Sequence, residues 1–161
     1  MKPEISYRFM DPVLYSSIRD TITGDTFYWL YQDHINFRPS KEFHFKLEII
    51  KDSNLLNYNY INYLHMVKPA LQLVPHKKIH SLSFRMLTKR NKKIEYGFDR
   101  FKMGTNIFVL FGNNSDGGIN VNNKFIESSE NTSVTFKSDD QLKFVFPTKD
   151  KITPFVLLNY S

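Results

Sequence analysis

The segment Thr105–Gly118, TNIFVLFGNNSDGG, decides the fold. Ile107, Phe108, Val109, Leu110 and Phe111 form an unbroken apolar run of strand-favouring residues, too short for a buried helix. It reads as a central strand covered on both faces. The run ends at Gly112, and Asn113-Asn114-Ser115-Asp116-Gly117-Gly118 follows. Those residues accept turn geometry readily, so a hairpin turn is expected there. Gly112–Gly118 is not a phosphate loop, because no Gly-Lys-Ser/Thr follows and no helix opens.

Working outward, the pattern is strand in both directions. Downstream, Val134 and Phe136 mark one strand. Leu142, Phe144 and Phe146 alternate with Lys143 and Val145, and Phe155–Leu158 is a last apolar strand. Upstream, Leu82, Phe84 and Met86 alternate with Ser81, Ser83 and Arg85. Phe43, Phe45, Leu47 and Ile49 alternate with His44, Lys46 and Glu48, which predicts one dry face and one wet face. Phe27 to Phe37 reads as an aromatic strand broken by Arg38, Pro39 and Ser40.

Two helices are expected. Asp11 can cap the first and Pro12 suits its first turn, with Val13, Leu14 and Ile18 on one face up to Ile22. The second starts at Ser53 or Asn54 and carries the stripe Leu55, Tyr58, Ile61, Leu64 and Val67. Pro69 is expected to kink or restart it, and Pro75 to stop it. Two helices beside many short strands indicate a mostly β, α+β chain built as a jelly roll or double-stranded β-helix. The expected organisation is one domain, 1–161, in which helices and strands of residues 1–76 pack on a β-helix core at 77–161.

The chain has 161 residues, 41% of them hydrophobic and 24% charged, which excludes a wholly disordered protein. It has no cysteine, so disulfides, thiolate metal sites and cysteine nucleophiles are excluded. No apolar run approaches the roughly 20 residues of a membrane-spanning helix. The opening MKPEISYRFMDP lacks an apolar h-region, so no secretion by a signal peptide is expected. The net charge of +6 admits an acidic partner, nucleic acid or protein. Lys89, Arg90, Lys92 and Lys93 are the densest basic cluster and the candidate partner-binding residues. Phe27, Tyr28, Trp29 and Tyr31 are candidates for base stacking, though sheet packing explains them as well.

The five histidines, His34, His44, His65, His76 and His80, match no metal-binding spacing. His76 and His80 stand four apart, but Pro75 and the strand pattern after it oppose one helical face. No Gly-x-Ser-x-Gly nucleophile elbow occurs.

Several stretches carry a family resemblance. Ile94-Glu95-Tyr96-Gly97-Phe98, Ile107–Gly118, Asn131–Phe136 and Leu157-Leu158-Asn159-Tyr160 resemble segments of the small 2-oxoglutarate/Fe(II)-dependent oxygenases, the prolyl-4-hydroxylase-like group of marine bacteriophages. Phe27–Tyr31 resembles that group's early aromatic segment, and Tyr63–Leu73 its proline-containing helix. The resemblance implies a double-stranded β-helix and a facial triad of two histidines and one carboxylate holding ferrous iron. On this alignment the first histidine position holds Asp99, the carboxylate position Phe101 and the distal histidine position Leu142. The basic residue for 2-oxoglutarate is replaced by Thr153, with Lys151 the nearest cation. Shifting the alignment by two puts Gly97 and Asp99 at the first pair, and the triad is still broken.

The resemblance and its departures imply a catalytically inactive, oxygenase-like jelly roll, a pseudoenzyme. It would act as a structural or protein-binding module, with neither iron nor 2-oxoglutarate as cofactor. A phage virion component at the neck, tail or capsid is the expected setting, in the virion or the host cytoplasm. One alternative is an active 2-oxoglutarate/Fe(II) dioxygenase with non-standard ligands drawn from His34, His44 or His80. Another is a basic nucleic-acid-binding module, whose affinity would fall steeply with salt.

Overall fold

The apolar run becomes strand β7 (Asn106–Phe111), and it is central. It pairs antiparallel with β10 (Ser133–Lys137) on one side and β12 (Ile152–Tyr160) on the other. The computed structural model describes residues 2–35, 38–97, 101 and 103–161, so Phe37 and Phe98 lie outside the described residues. Beyond β12 lie β5 (Ile79–Thr88), β3 (Arg38–Lys51) and β2 (Leu30–Ile35), with β4 (Asn54–Leu55) also on β3. The far edge is β1 (Glu4–Ser6), paired with β10. A second sheet has the order β6 (Glu95–Gly97), β11 (Leu142–Val145), β8 (Ser115–Val121), β9 (Lys124–Ser128).

From β5 onward the chain winds between the two sheets. It goes from β5 to β6, back to β7, over to β8 and β9, back to β10, over to β11 and back to β12. That winding is a double-stranded β-helix, the expected fold class. The Asn/Gly segment departs from expectation. It is no hairpin turn, because β7 and β8 belong to different sheets, and Ser115 to Gly118 already lie in β8. Turn-prone residues mark a change of direction and do not say which sheet the chain enters next. Close packing explains the glycines: a Cβ on Gly118 would run into the Ile126 carbonyl, and one on Gly117 into the Thr153 hydroxyl.

Helix α1 (Pro12–Thr23) begins as read. The Asp11 carboxylate accepts hydrogen bonds from the backbone N–H groups of Val13 (2.9 Å) and Leu14 (3.2 Å). Its buried face is Tyr15, Ile18 and Ile22, whereas Val13 and Leu14 are exposed, a correction to the expected stripe. Tyr15 also anchors the helix by donating to the Phe111 carbonyl at 3.0 Å. The second helix starts later than expected. Asn54 and Leu55 pair with β3, Asn57 caps a single 3-10 turn at Tyr58–Tyr60, and α2 runs Ile61–Leu73 with Pro69 inside it. Arg38, Pro39 and Ser40 do not break a strand; they open β3.

The large sheet has a core on each face. On one, α1 and α2 pack Tyr15, Ile18, Ile22, Val67 and Leu71 against Leu47, Ile49, Leu82, Phe84, Phe108 and Leu158. On the other, the small sheet closes over Leu87, Ile107, Val109, Phe111, Phe155 and Leu157 with Ile119, Val121, Leu142 and Phe144. No helix among the described residues is long and apolar enough to cross a membrane.

Candidate functional site

The space between the sheets is where this architecture can hold a ligand, so its lining decides the chemistry. Leu142 opens β11 opposite Val121, is buried, and joins the apolar lining. Phe101 packs half-buried against the same cluster. Thr153 is fully buried opposite Leu87, and its Oγ1 lies 2.6 Å from the Ser115 Oγ. Lys151 is exposed, and its carbonyl accepts from the Lys89 N–H at 2.9 Å. Asp99 lies outside the described residues.

Hydrocarbon at Phe101 and Leu142 offers no lone pair to a metal, and the Thr153 hydroxyl is engaged by Ser115. Among the described residues, no group of three or more His, Cys, Asp and Glu could hold a metal ion. These residues therefore do not fit the iron centre that the resemblance assigns to them.

The histidines do not converge. His80 shares a strand face with Leu82 and Phe84, toward the helices, with its ring nitrogens near Ser161 Oγ (2.9 Å) and Ser53 Oγ (3.3 Å). His44 lies on the opposite face, toward the small sheet, where its ring approaches that of Phe144. His65 is exposed, and His76 contacts the Val74 carbonyl at 2.7 Å. The side chain of His34 lies outside the described ones.

His44 corrects the reading of a wet face. In register across the large sheet, Leu30, Lys46, Arg85, Phe155 and Phe111 form one row, all facing the small sheet. Glu48 and Ser83 are paired in the neighbouring row, with Leu157 and Val109 beyond them. Arg85 is buried at 5% exposure and His44 at 2%. The Arg85 guanidinium donates to His44 Nε2 at 2.9 Å and to Ser83 Oγ at 3.2 Å, and lies 5.5 Å from the Phe144 ring centre. Lys46 pairs with Glu48 at 3.0 Å. Burial, and after it the Arg85 and Lys46 charges, push the His44 imidazole down to about 3. Burial and then Arg85 lower the Lys46 ammonium to about 8, and burial lowers Arg85 to about 10. Sequence reasoning missed this cluster. Its one signal was the polar alternation on two strands that become neighbours.

The basic loop is only partly a surface feature. Arg90 lies 4.6 Å over the Phe146 ring and donates to the Thr88 Oγ1 at 2.7 Å, so it secures the fold. Lys93 pairs with Glu95 at 3.3 Å and lies 5.6 Å from the Phe125 ring centre. Lys89 and Lys92 are exposed.

Solved structures of prolyl-4-hydroxylase-like and 2OG-Fe(II) oxygenases match this fold along nearly the whole chain. A Pseudomonas putida prolyl-4-hydroxylase aligns with a TM-score of 0.61 at 11% identity, over 99% of this chain and 92% of that one. A Burkholderia pseudomallei oxidoreductase of the 2OG-Fe(II) oxygenase family aligns with a TM-score of 0.66 at 10% identity, over 99% and 85%. A Trichoplax adhaerens prolyl hydroxylase, solved with a hypoxia-inducible-factor peptide fragment, aligns with a TM-score of 0.64 at 10% identity, over 98% and 83%. No family model and no curated protein matches the chain. The likeness is one of fold.

It also corrects the expectation that the chain takes no cofactor. The structures that share this fold include a named 2OG-Fe(II) oxygenase, so the scaffold is one that works with that pair. Residue mismatches at three positions do not license a cofactor-free reading.

Proposed function

We propose that this chain keeps the oxygenase scaffold and acts as a structural or protein-binding module, without the turnover chemistry of its structural neighbours. One observation carries the reading: the intersheet space is packed with buried side chains, Leu142, Phe144, Phe155 and Phe111 among them, where a substrate cavity would otherwise lie. The outward contact surface is the basic loop, with Lys89, Lys92 and the Glu95-paired Lys93 exposed on it and an acidic protein face as the complement. An assembly such as a phage particle is the setting this reading favours.

The test has two arms. The purified chain is supplied with ferrous iron and 2-oxoglutarate, and succinate is measured. In parallel, proteins captured by the chain are compared with those captured by a Lys89→Glu/Lys92→Glu variant. The expected result is no succinate above the iron-only control and a captured partner lost on charge reversal. Stoichiometric iron binding with succinate formation overturns the reading.

A further inference from the structure

We propose that the free edge of β9 is a self-association surface, on which a second copy of this chain pairs its own β9 antiparallel across a two-fold axis. This contact uses neither Lys89 nor Lys92, and it holds whether or not the chain turns over 2-oxoglutarate.

The backbone leaves this edge open. β9 ends the small sheet: β8 pairs with it on one side, and among the described residues no strand lies on the other. Asn122 and Asn123, at φ values of 50° and 65°, form the two-residue turn between the strands. Such a turn closes on a hydrogen bond between its flanking residues, here Val121 and Lys124, which stand in register. Bonded and non-bonded pairs then alternate. Lys124 and Ile126 therefore direct their N–H and C=O groups at β8, and the Ile126 carbonyl does lie against Gly118. Phe125 and Glu127 direct theirs to the open side. An exposed row of this kind is a template for another strand.

The sequence of β9 complements itself. With Ile126 on the two-fold axis, Phe125 stands opposite Glu127 of the second copy, and Glu127 opposite its Phe125. Both residues point their backbone groups outward, so each pair can exchange N–H···O=C bonds, and the two Ile126 residues meet between them. Lys124 falls opposite Ser128. No like charges face each other in this register, whereas an axis through Glu127 would oppose two carboxylates.

Side-chain charge selects the same partner. Glu127 is exposed, and among the described residues its carboxylate has no ion-pair or hydrogen-bond partner. The Lys93 ammonium lies 5.6 Å from the Phe125 ring centre, on a side chain that is 65% exposed. Glu127 of the second copy, arriving opposite Phe125, therefore meets Lys93, and the symmetry repeats that pair. A groove of about 690 Å3 runs along the edge, with Ile126 and Ser128 on one side and Ile5 and Tyr7 on the other. The incoming β9 fits there with its Ile126 toward Ile5 and Tyr7, and Tyr7 is otherwise 70% exposed. Lys124 of the second copy, opposite Ser128, enters the end lined by Asp116 and Asp150.

Sedimentation velocity over a concentration series reads the dimer, and backbone amide exchange reads the edge. The wild-type chain is expected to dimerise, with slower exchange at Phe125 and Glu127 in the dimer. Lys93→Glu and Glu127→Lys each place like charges together across the axis, so each should weaken self-association about tenfold or more. An equimolar mixture of the two should recover the dimer, because opposite charges then meet at both contacts. Glu127→Pro removes an outward N–H at a position where an edge strand tolerates proline, and should abolish the dimer; if it fails to fold, the charge variants carry the test. A chain that stays monomeric throughout the series overturns the proposal. So does a dimer that every substitution leaves intact, or a mixture no more associated than its components.

Discussion

Phe144→Ala is the most direct probe of a filled intersheet space. Phe144 is fully buried on β11, with the Phe155 ring centre 5.4 Å away and the Arg85 guanidinium 5.5 Å from its own ring centre. Truncating a buried Phe to Ala costs roughly 3–5 kcal/mol, in transfer free energy and in the cavity left behind. The aromatic pair and the cation–π contact each add about 0.5–1.5 kcal/mol beyond burial, which places this site toward the top of that range, at about 4–5 kcal/mol. Domains of this kind have roughly 5–15 kcal/mol in total, so the variant should be marginal. At about 2–4 °C per kcal/mol for a chain of this length, Tm should fall by about 8–20 °C. The assay is urea unfolding followed by fluorescence of Trp29, the only tryptophan, which packs 4.4 Å from Phe27 on the helix side of the large sheet. Phe125→Ala is the control, because Phe125 is 41% exposed on β9, and it should cost less than about 1 kcal/mol. If Phe144→Ala costs as little as that control, the space between the sheets is not close-packed and the reasoning fails.

Further perturbations test other regions of the frame. Asn131→Ala removes a two-way clamp in which the side chain accepts from the Met10 N–H (3.2 Å) and donates to the Met10 carbonyl (2.8 Å); a loss of about 2–3 kcal/mol is expected in urea unfolding, with both Met10 groups left unpaired. His44 falls from an ordinary 6.5 to about 3 in the fold, so the unfolded chain binds a proton that the folded chain refuses. Stability should therefore be complete above pH 6.5 and decline toward pH 3 by up to about 1.4 kcal/mol per unit, with a flatter profile in His44→Gln. Burial raises the Tyr15 phenol from 10.0 to about 12, so stability should be intact below pH 10 and fall between pH 10 and 12, and Tyr15→Phe should remove that alkaline fall in a pH series of Tm values. Gly118→Val places a side chain against the Ile126 carbonyl and should uncouple β9 from β8, read as faster amide exchange in Lys124–Ser128.

Period-two alternation located β5, β10 and β11, and a continuous apolar run, Phe155–Leu158, located β12. It could not say which face meets water. On β3 the residues His44, Lys46 and Glu48 look solvent-facing, and on β5 so do Ser83 and Arg85. Once β3 pairs with β5, Arg85 donates to His44 and Ser83 while Lys46 pairs with Glu48, so these polar side chains partner one another and can be covered. Pairing partners are a long-range property, and composition within one strand does not contain them. The Asn/Gly segment fails for a related reason, since local turn chemistry fixes the bend at Gly112 but not the crossing to the small sheet. Leu142 and Thr153 were singled out only through the family resemblance; the structure shows that both are buried.

The lining of the intersheet space is accordingly lopsided. Its small-sheet wall presents Ile119, Val121, Leu142 and Phe144, which are hydrocarbon, while the β3–β5 stretch of the opposite wall presents His44, Lys46, Ser83 and Arg85. Phe144, with the Arg85 guanidinium 5.5 Å from its ring centre, is where the apolar wall closes over the polar one.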